Sequence, residues 1–441
     1  MNISRHILFF ILSLAGFSIS AQESIFIDVS SPVYQINGDF LLSKGLTGKG
    51  VKVGVIDVGF EKLSTNKCLR HITDSSRLHF ARNYLYRVLN TGDSLQQLLL
   101  QGIAASEIPL FPQPWPEDCD LCDTVTLFNM MNTHGSFVTF MIAGNLKFYK
   151  ISGLGRDADF YLAKTEFGKR DHRLEENLLN QALSDFYGKG VRLVNMSLGY
   201  RDNFEPESLN YTPDQMNGHT AYSSQACNKW SSEGMILVVA AGNSGLKQWK
   251  RISAPGEAEG CITVGATEKL NSLLKAGYSS IGDYDYGYVK PDVVCYSESG
   301  TSMAAPVITG LIAAMLQKKP DLSAGKIKEI LHKSSTIYPY PNDFVGYGIP
   351  DSKKIFDLLQ NDTLTVSSAQ LVETSDNKVE IETYSNFTVD CFDKSDAYHV
   401  VNQYNPEIRK EKIKIKRKSG VARTTVVINL TAVYEIIWNL K

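Results

Sequence analysis

The chain has 441 residues, of which 43% are apolar and 21% are charged, and its formal net charge is −2. This length is enough for one large domain with a sizeable core and a smaller second domain. The near-neutral charge argues against nucleic acid as the main partner, because contact with phosphate groups needs a cationic surface.

Residues 1–21 have the composition of a secretory signal peptide. Arg5 precedes an apolar run over residues 7–17, and small residues up to Ala21 follow it. The run is shorter than the roughly 20 residues that cross a bilayer, and the alternative is a buried N-terminal helix. No other stretch is long enough for a membrane span. We expect a protein that is secreted, periplasmic or held at the cell surface after signal cleavage, with residues 22–45 as a short N-terminal segment.

From about residue 46 the sequence alternates between strand and helix patterns. Continuous apolar runs, rich in β-branched residues, predict strands that are buried on both faces. These runs cover residues 51–57, 158–163, 191–196, 235–241 and 261–266. Helical patterns lie between them, and one covers residues 175–187. This alternation predicts an α/β fold: a doubly wound, mainly parallel sheet with helices on both faces, which binds its ligand beyond the carboxyl ends of the strands.

Residues 60–131 lack this regularity and are interpreted as a surface insertion. They contain a helical pattern at 94–105 and a proline-rich stretch. The insertion is either a functional loop or a tolerated addition. Its Cys119 and Cys122 form a CxxC without the second pair that a zinc site needs, so a local disulfide or two free thiols are favoured over a metal.

The pattern changes near residue 359, where the α/β domain of residues 46–359 is expected to end. Residues 362–441 alternate apolar and polar side chains with few helix signals, which predicts a small C-terminal all-β module of five or six strands. The KIKIK run at 412–416 places its lysines on one face and its isoleucines on the other. A half-buried strand with a solvated lysine face is favoured there over a polyanion site.

Three short segments place reactive side chains where a strand or loop meets the next element. An apolar strand ends at Asp57, His134 opens an apolar helical stretch, and Ser302 lies in a GTSMAAP run that opens a strongly helical segment. A serine at a helix start lies beside unpaired N–H groups and the positive end of the helix dipole, which favour an adjacent oxyanion. Its hydroxyl needs a neighbouring base that a third group holds. Taken singly, the three residues also fit a turn, a structural histidine and a helix cap.

A fourth segment supports the reactive interpretation. In the run AAGNSG a buried strand leads directly into Asn243. A turn is the ordinary explanation for this asparagine. An amide at the carboxyl end of a strand is, however, well placed to donate a hydrogen bond to a tetrahedral intermediate.

Taken together, these segments resemble the subtilisin-like serine proteases, or subtilases. The chain order Asp, His, Ser is that of subtilisin, and GTSMAAP at residues 300–306 is a highly specific motif. Further similarities are GKGV at 48–51, MSLG at 196–199, AP at 254–255, YSS at 278–280 and KPDV at 290–293. The resemblance covers roughly residues 46–352 and implies endopeptidase activity on proteins.

The resemblance also implies a role for each matched residue. Ser302 attacks the scissile carbonyl, His134 takes and returns the proton, and Asp57 orients the imidazole. Asn243 and the N–H of Ser302 form the oxyanion hole. Contact with substrate is implied for Ser197, Leu198 and Gly199, which pair with the substrate backbone, and for Ser253, near the base of the pocket for the residue before the cut. Protein or peptide substrates and no cofactor or metal ligand are expected, while structural calcium and the oligomeric state stay open.

Several departures from the family pattern keep an alternative open. Val58 replaces the serine or threonine usual after the catalytic aspartate, and Ser136 replaces the usual threonine. Few residues separate the signal from the catalytic domain, so the usual removable prosegment is not evident. A catalytically silent binding module is therefore the second hypothesis. A nucleotide-binding α/β enzyme is disfavoured, because Gly48 and Gly50 precede their strand, whereas a dinucleotide loop follows one.

Overall fold

The computed structural model describes residues 30–85, 130–146, 151–168, 170–283, 286–361 and 369–439. The expected signal peptide, the helical pattern at 94–105 and the Cys119–Cys122 pair lie outside these residues. Among the helices of the described ranges, none is long and apolar enough to cross a membrane.

A seven-stranded parallel sheet forms the centre of the fold. The strands in chain order are β1 (Lys52–Asp57), β2 (Leu78–Asn83), β3 (Asn145–Leu146), β4 (Ile151–Ser152), β5 (Asp159–Lys164), β6 (Leu193–Met196), β7 (Ile236–Ala240), β8 (Cys261–Thr267) and β9 (Val293–Tyr296). The short strands β3 and β4 form a separate hairpin. The other seven have the order β2-β5-β1-β6-β7-β8-β9, and every pairing is parallel.

Helices cover both faces of this sheet. They are α1 (Ser30–Gln35), α2 (Gly38–Ser43), α3 (Arg70–Thr73), α4 (Met130–Ala143), α5 (Arg173–Gly188), α6 (Tyr222–Ser232), α7 (Thr301–Lys318), α8 (Ala324–Ser334) and α9 (Ser352–Asn361). Because strand side chains alternate between faces, β1 directs Val53 and Val55 into one core and Ile56 into another. The first core includes α4 and α7, and the second includes α5 and α6. The predicted doubly wound α/β architecture is confirmed.

The predicted strands agree with β1 and β5 to β8 within about two residues at each end. The stretch expected to be irregular, residues 60–131, differs from the prediction in its first part. It contributes the short helix α3 and the edge strand β2 to the fold. In β2 (LHFARN) partly buried and exposed residues are mixed. An edge strand of this kind lacks the continuous apolar run that identifies a strand covered on both faces.

Within its described residues, 369–439, the C-terminal part is all-β, as predicted, but has eight strands rather than five or six. They are β10 (Gln370–Thr374), β11 (Lys378–Glu382), β12 (Val389–Lys394), β13 (Val400–Tyr404), β14 (Ile408–Arg409), β15 (Lys412–Lys416), β16 (Arg423–Ile428) and β17 (Ala432–Trp438). One sheet has the order β10-β17-β16-β12-β13 and the other β11-β15-β14. Short strands such as β14, with two residues, are below the length at which alternation is recognisable in sequence.

The lysines of β15 form an exposed face, and its two isoleucines are buried. Across the ladder, Lys414 lies opposite Glu380 and Lys412 opposite Glu382. Opposite charges in such cross-strand pairs attract each other. Two of the three lysines are therefore paired with opposite charges, while Lys416 lies opposite Lys378 at the end of the ladder. The preference for a solvated strand over a polyanion site stays a prediction.

The C-terminal strands pack on the α/β part rather than standing apart from it. Phe392, Val400, Val427 and Val433 are buried in the same core as α4 and α7. A third core, which includes Trp438, fills the space between the two C-terminal sheets. The contact between the two parts is therefore apolar at its centre.

Candidate active site

The predicted reactive residues lie at the carboxyl edge of the central sheet. Asp57 is the last residue of β1, and Asn243 follows the end of β7. His134 lies in the second turn of α4, and Ser302 is the second residue of α7. The helices α4 and α7 pack against each other. The edge where a doubly wound sheet binds ligands thus carries all four side chains.

Asp57 and His134 are joined by a hydrogen bond of 2.8 Å between Oδ1 of the carboxylate and Nδ1 of the imidazole. The backbone N–H of Val58 also donates to Oδ1, at 2.8 Å. Among the residues that the structure describes, the other carboxylate oxygen, Oδ2, is buried and has no hydrogen-bond partner. The next residue is Val58, at the position where the family pattern has a hydroxyl.

The environment of His134 favours its charged form. Burial alone would lower the pKa of the imidazole, but the charge of Asp57 and the hydrogen bond to it outweigh burial, and the pKa is raised above its ordinary 6.5. The carboxylate is almost completely buried, and the imidazole side chain is 27% exposed. The Nδ1 atom is committed to Asp57, so Nε2 is the ring nitrogen that is left for a reacting group.

Close backbone packing brings α4 to the loop after β1. The N–H of Gly135 donates to the carbonyl of Gly59 at 2.8 Å. A side chain at Gly135 would place its Cβ 2.6 Å from that same oxygen, which is closer than any real contact. The hydroxyl of Ser136 donates to the carbonyl of Glu61 at 2.7 Å. Glycine at 135 is therefore required for His134 to come within reach of Asp57.

Ser302 lies where the chain enters α7. The residue before the helix, Gly300, has φ +109°, a conformation that favours glycine. The hydroxyl of Ser302 donates to the carbonyl of Ser197 at 3.4 Å, and the hydroxyl of Ser197 donates to the carbonyl of Ser302 at 2.9 Å. Ser302 and His134 both belong to the described residues, and the Ser302 hydroxyl is hydrogen-bonded to the 197–199 segment rather than to His134.

The amide of Asn243 has a fixed orientation. Its Oδ1 accepts from the N–H of Thr301 at 3.0 Å and from the Thr301 hydroxyl at 3.2 Å. The side-chain NH₂ group therefore faces away from Thr301, and a Cβ added at Gly300 would lie 3.0 Å from this nitrogen. Thr301 was not among the predicted site residues, although it stands next to Ser302 in the GTSMAAP motif.

The turn that carries Asn243 is held on both sides by the segment before β9. The N–H of Gly245 donates to the carbonyl of Tyr278 at 2.8 Å. Ser280 donates its N–H to the carbonyl of Gly242, and its hydroxyl accepts from the N–H of Ser244, both at 3.0 Å. The YSS run was identified as a similarity, and these contacts give it a function as a support for Asn243.

The predicted substrate-contacting residues are close together. Ser197, Leu198 and Gly199 follow β6, and Gly199 is exposed. The hydroxyl of Ser253 lies between two glycines, because a Cβ at either Gly199 or Gly242 would be 2.8 Å from it. Ser253 therefore lies beside the 197–199 segment and the Asn243 turn, and its contact with the substrate stays a prediction.

Buried carboxyl groups behind the 197–199 segment were not predicted. The hydroxyl of Tyr200 donates to Oε1 of Glu166 at 2.6 Å, and the hydroxyl of Thr165 donates to the same oxygen at 2.8 Å. Burial raises the pKa of Glu166 to about 8. Tyr200 directly follows Gly199, so this bond holds the end of the segment. The sequence signal was weak, since a single glutamate after a strand resembles a surface residue.

The described residues contain no group of three or more histidine, cysteine, aspartate or glutamate side chains that could hold a metal ion. What the site offers instead is a carboxylate–imidazole pair, a helix-start serine and an oriented amide. These are the components of acyl transfer by a nucleophilic serine.

Comparison with known proteins agrees with this chemistry. The family model described as the Subtilase family matches residues 48–348. The serine protease AprX of Bacillus subtilis (strain 168) is 31% identical over 174 residues, which are 32% of this chain and 37% of AprX. Subtilisin BL of Lederbergia lenta is 27% identical over 302 residues, which are 67% of this chain and 86% of that protein.

A solved structure shows the same fold. The Clostridium perfringens CspB protease superposes with a TM-score of 0.52 and 16% sequence identity, over 75% of this chain and 99% of that chain. At this identity the likeness concerns the fold alone.

Proposed function

The chain belongs to the subtilase family of serine-type endopeptidases, and from this premise we propose that it cleaves protein substrates with Ser302, His134 and Asp57. The observation that carries the proposal is the 2.8 Å hydrogen bond between Asp57 and His134 Nδ1. It leaves Nε2 as the atom that accepts the serine proton. A histidine with a purely structural function would not need its second nitrogen open on the ligand-binding edge of the sheet.

Catalysis proceeds in two acyl-transfer steps. The Ser302 oxygen bonds to the scissile carbonyl carbon while its proton passes to Nε2 of His134. The carbon–nitrogen bond then breaks, and the same proton goes to the leaving amine. Water repeats the sequence on the ester, which releases the second product and restores the Ser302 hydroxyl. The buried charge of Asp57 stabilises the imidazolium that forms in each step.

Ser302 must turn before it reacts. Its hydroxyl donates at 3.4 Å to the carbonyl of Ser197, which is a long and weak hydrogen bond. Rotation about the Cα–Cβ bond of Ser302 would break this hydrogen bond and free the hydroxyl for proton transfer. Catalytic hydrogen bonds are often formed only in the complex with substrate, and backbone pairing of a substrate with residues 197–199 would compete for that same carbonyl.

The oxyanion of the intermediate is stabilised by the amide of Asn243 and the N–H of Ser302. Two hydrogen bonds from Thr301 hold the oxygen end of the amide, so its NH₂ group is preoriented as a donor. The start of α7 adds the positive end of the helix dipole. Preoriented donors of this type stabilise the transition state without reorganisation.

The substrate lies along residues 197–199 as an added strand, with the side chain before the cut directed to Ser253. The exposed edge of Gly199 and the hydroxyl between Gly199 and Gly242 support this path. The signal-like N-terminus supports action outside the cytoplasm.

A second candidate is a subtilase fold that binds peptides without cleaving them. The unpaired Asp57 Oδ2 beside Val58 and the hydrogen bond from Ser302 to Ser197 favour it. The active enzyme is favoured because Asp57, His134, Asn243 and Ser302 all have the side chains that catalysis needs.

Variants at Ser302 separate the two candidates. Ser302→Ala should reduce cleavage of a denatured protein substrate by about 10⁶-fold, the effect that loss of the nucleophile has in a subtilisin. Ser299→Ala makes the same chemical change three residues earlier in the loop and should cleave at the normal rate. Mass spectrometry of the products from a peptide library would define the residues around the cut. Equal cleavage by the wild type and Ser302→Ala would refute the proposal, and absence of cleavage by the folded wild type would favour the binding module.

A further inference from the structure

The C-terminal strands contact the segment that supports the proposed oxyanion hole. On strand β13, the side-chain amide of Gln403 pairs with the backbone of Lys275. The Lys275 N–H donates to Oε1 of Gln403 at 2.9 Å, and Nε2 of Gln403 donates to the Lys275 carbonyl at 2.9 Å. A glutamine here replaces the two hydrogen bonds that a neighbouring strand would make. The backbone of Lys275 is thus fixed by a residue 128 positions later in the chain.

A second contact fixes the same segment a few residues earlier. Asp390 on β12 is 1% exposed. Its Oδ1 accepts from the hydroxyl of Ser272 at 2.7 Å, and its Oδ2 accepts from the N–H of Leu273 at 2.6 Å. The side chain of Asn405 donates to the same carboxylate at 2.8 Å. The C-terminal part therefore contacts the start of the segment through two fully paired polar side chains, Asp390 and Gln403.

Lys275 carries the constraint into the following turn. Its ammonium group is nearly buried and donates to the carbonyls of Ala276 at 2.8 Å, Gly277 at 3.3 Å and Ser279 at 3.0 Å. Three carbonyls of the turn, residues 276–279, therefore accept hydrogen bonds from one ammonium group. Because that group belongs to Lys275, a shift of the Lys275 backbone would also shift the turn.

The far end of the turn contacts the residues on either side of Asn243. Tyr278 and Ser280 make the three hydrogen bonds to Gly242, Ser244 and Gly245 that are described above. The hydroxyl of Tyr278 also donates to the carbonyl of Ser297, and the hydroxyl of Ser297 donates to the carbonyl of Gly300 at 2.7 Å. The same turn therefore contacts both the Asn243 turn and the loop that enters α7.

We propose that Gln403 is a positioning residue for the oxyanion hole, acting through the Lys275 turn on Asn243. The proposal rests on the catalytic function proposed for Asn243. The C-terminal strands thus form a part of the catalytic apparatus that the sequence pattern of the protease domain does not contain. Displacement of a transition-state donor by a fraction of an ångström reduces turnover but leaves ground-state binding of the substrate largely unchanged.

A double-mutant cycle tests this coupling. Gln403→Ala should lower kcat about tenfold with KM nearly unchanged. Asn243→Ala should lower kcat by about 10²–10³-fold, as loss of this donor does in a subtilisin. If Gln403 acts through Asn243, adding Gln403→Ala to Asn243→Ala should lower kcat by less than about twofold. A merely structural residue would reduce activity by the same factor in both backgrounds.

Two further variants make the result interpretable. Gln370→Ala makes the same change at an exposed position of β10, away from the Lys275 contact, and should leave kcat and KM unchanged. If Gln403→Ala does not fold, Gln403→Glu keeps the acceptor for the Lys275 N–H but places a carboxylate oxygen against the Lys275 carbonyl, and it should lower kcat with the same lack of additivity.

The outcomes are distinct from those of the proposed function. Unchanged kcat in Gln403→Ala, or equal factors in the two backgrounds, would overturn the positioning proposal while the Ser302 result stands. Cleavage that survives Ser302→Ala would overturn the proposed function itself. The coupling would be supported if Gln403→Ala lowers kcat about tenfold in the protein that retains Asn243 and has little effect in Asn243→Ala.

Discussion

Asp57 uses its two carboxylate oxygens differently. Oδ1 accepts hydrogen bonds from His134 and from the backbone of Val58, while Oδ2 is buried and without a partner in the described part of the chain. An unpaired buried oxygen on a charged group costs free energy of folding. The sequence indicated the cause, since Val58 lacks the hydroxyl that the family pattern has, but only the structure showed that no other described residue replaces it.

A hydroxyl at position 58 should therefore be tolerated where most buried hydroxyls are not. We expect Val58→Thr to leave the free energy of unfolding unchanged or to raise it by about 1 kcal/mol, because Oδ2 gains a donor. Val55→Thr, in the apolar middle of β1, should lower it by about 1–3 kcal/mol. Urea unfolding of both variants measures the difference. Equal destabilisation would mean that the hydroxyl at 58 does not reach Asp57.

The pairing of His134 with Asp57 also sets the pH range of activity. Only the neutral imidazole accepts the Ser302 proton. The pKa of His134 is raised above 6.5 because the charge of Asp57 outweighs burial, so the base should be fully available above the raised pKa and be lost as the pH falls through it. The acidic limb of the kcat/KM profile should lie above pH 6.5. In Asp57→Asn, burial acts without the opposing charge, so the limb should shift to lower pH at a strongly reduced rate; an acidic limb below 6.5 in the wild type would contradict the pairing.

At the scale of elements, the strands differed in how well the sequence predicted them. Strands β1 and β5 to β8 are covered on both faces, and their continuous apolar runs identified them. The edge strand β2 mixes partly buried and exposed residues and was not recognised. The start of α7 was recognised through its reactive serine rather than through a cap, whereas α4 begins at Met130, before the apolar stretch that predicted it.

The five-stranded C-terminal sheet contains a buried ion pair that the sequence pattern did not predict. On β12, Lys394 contacts Glu435 of β17 at 2.8 Å, and both side chains are 0% exposed. The hydroxyl of Thr425 donates to the other glutamate oxygen at 2.7 Å. Attraction and hydrogen bonds offset the loss of hydration of the two charges only while both partners are present.

Removal of one partner of this pair should destabilise the protein more than removal of both. Lys394→Met should lower the free energy of unfolding by about 3–5 kcal/mol, because the buried Glu435 then keeps only the more distant and partly exposed Arg423, at 3.9 Å. The double variant Lys394→Met with Glu435→Leu should recover most of this loss. Thermal and urea unfolding provide the measurement. If the double variant is as unstable as the single one, packing rather than charge determines the effect.

At the scale of the whole molecule, the protein is a protease fold whose C-terminal strands share its main core and contact the turn that packs beside Asn243. The motifs around Asp57, His134, Asn243 and Ser302 identified the chemistry, because each reactive group stands in a short, specific run. The support from Gln403 had no such signal. A glutamine in an alternating strand looks like a solvated residue, and its partner lies 128 positions away, a pairing that no local pattern encodes.

The central claim is that Ser302 is an activated nucleophile, and covalent labelling of the intact chain tests it most directly. The folded protein would be treated with a serine-reactive phosphonyl fluoride, and the site of the adduct would be located by peptide mass spectrometry. We predict a single adduct on Ser302 that forms in step with loss of cleavage and fails to form in His134→Ala. A folded, proteolytically active protein without an adduct on Ser302 would contradict the account.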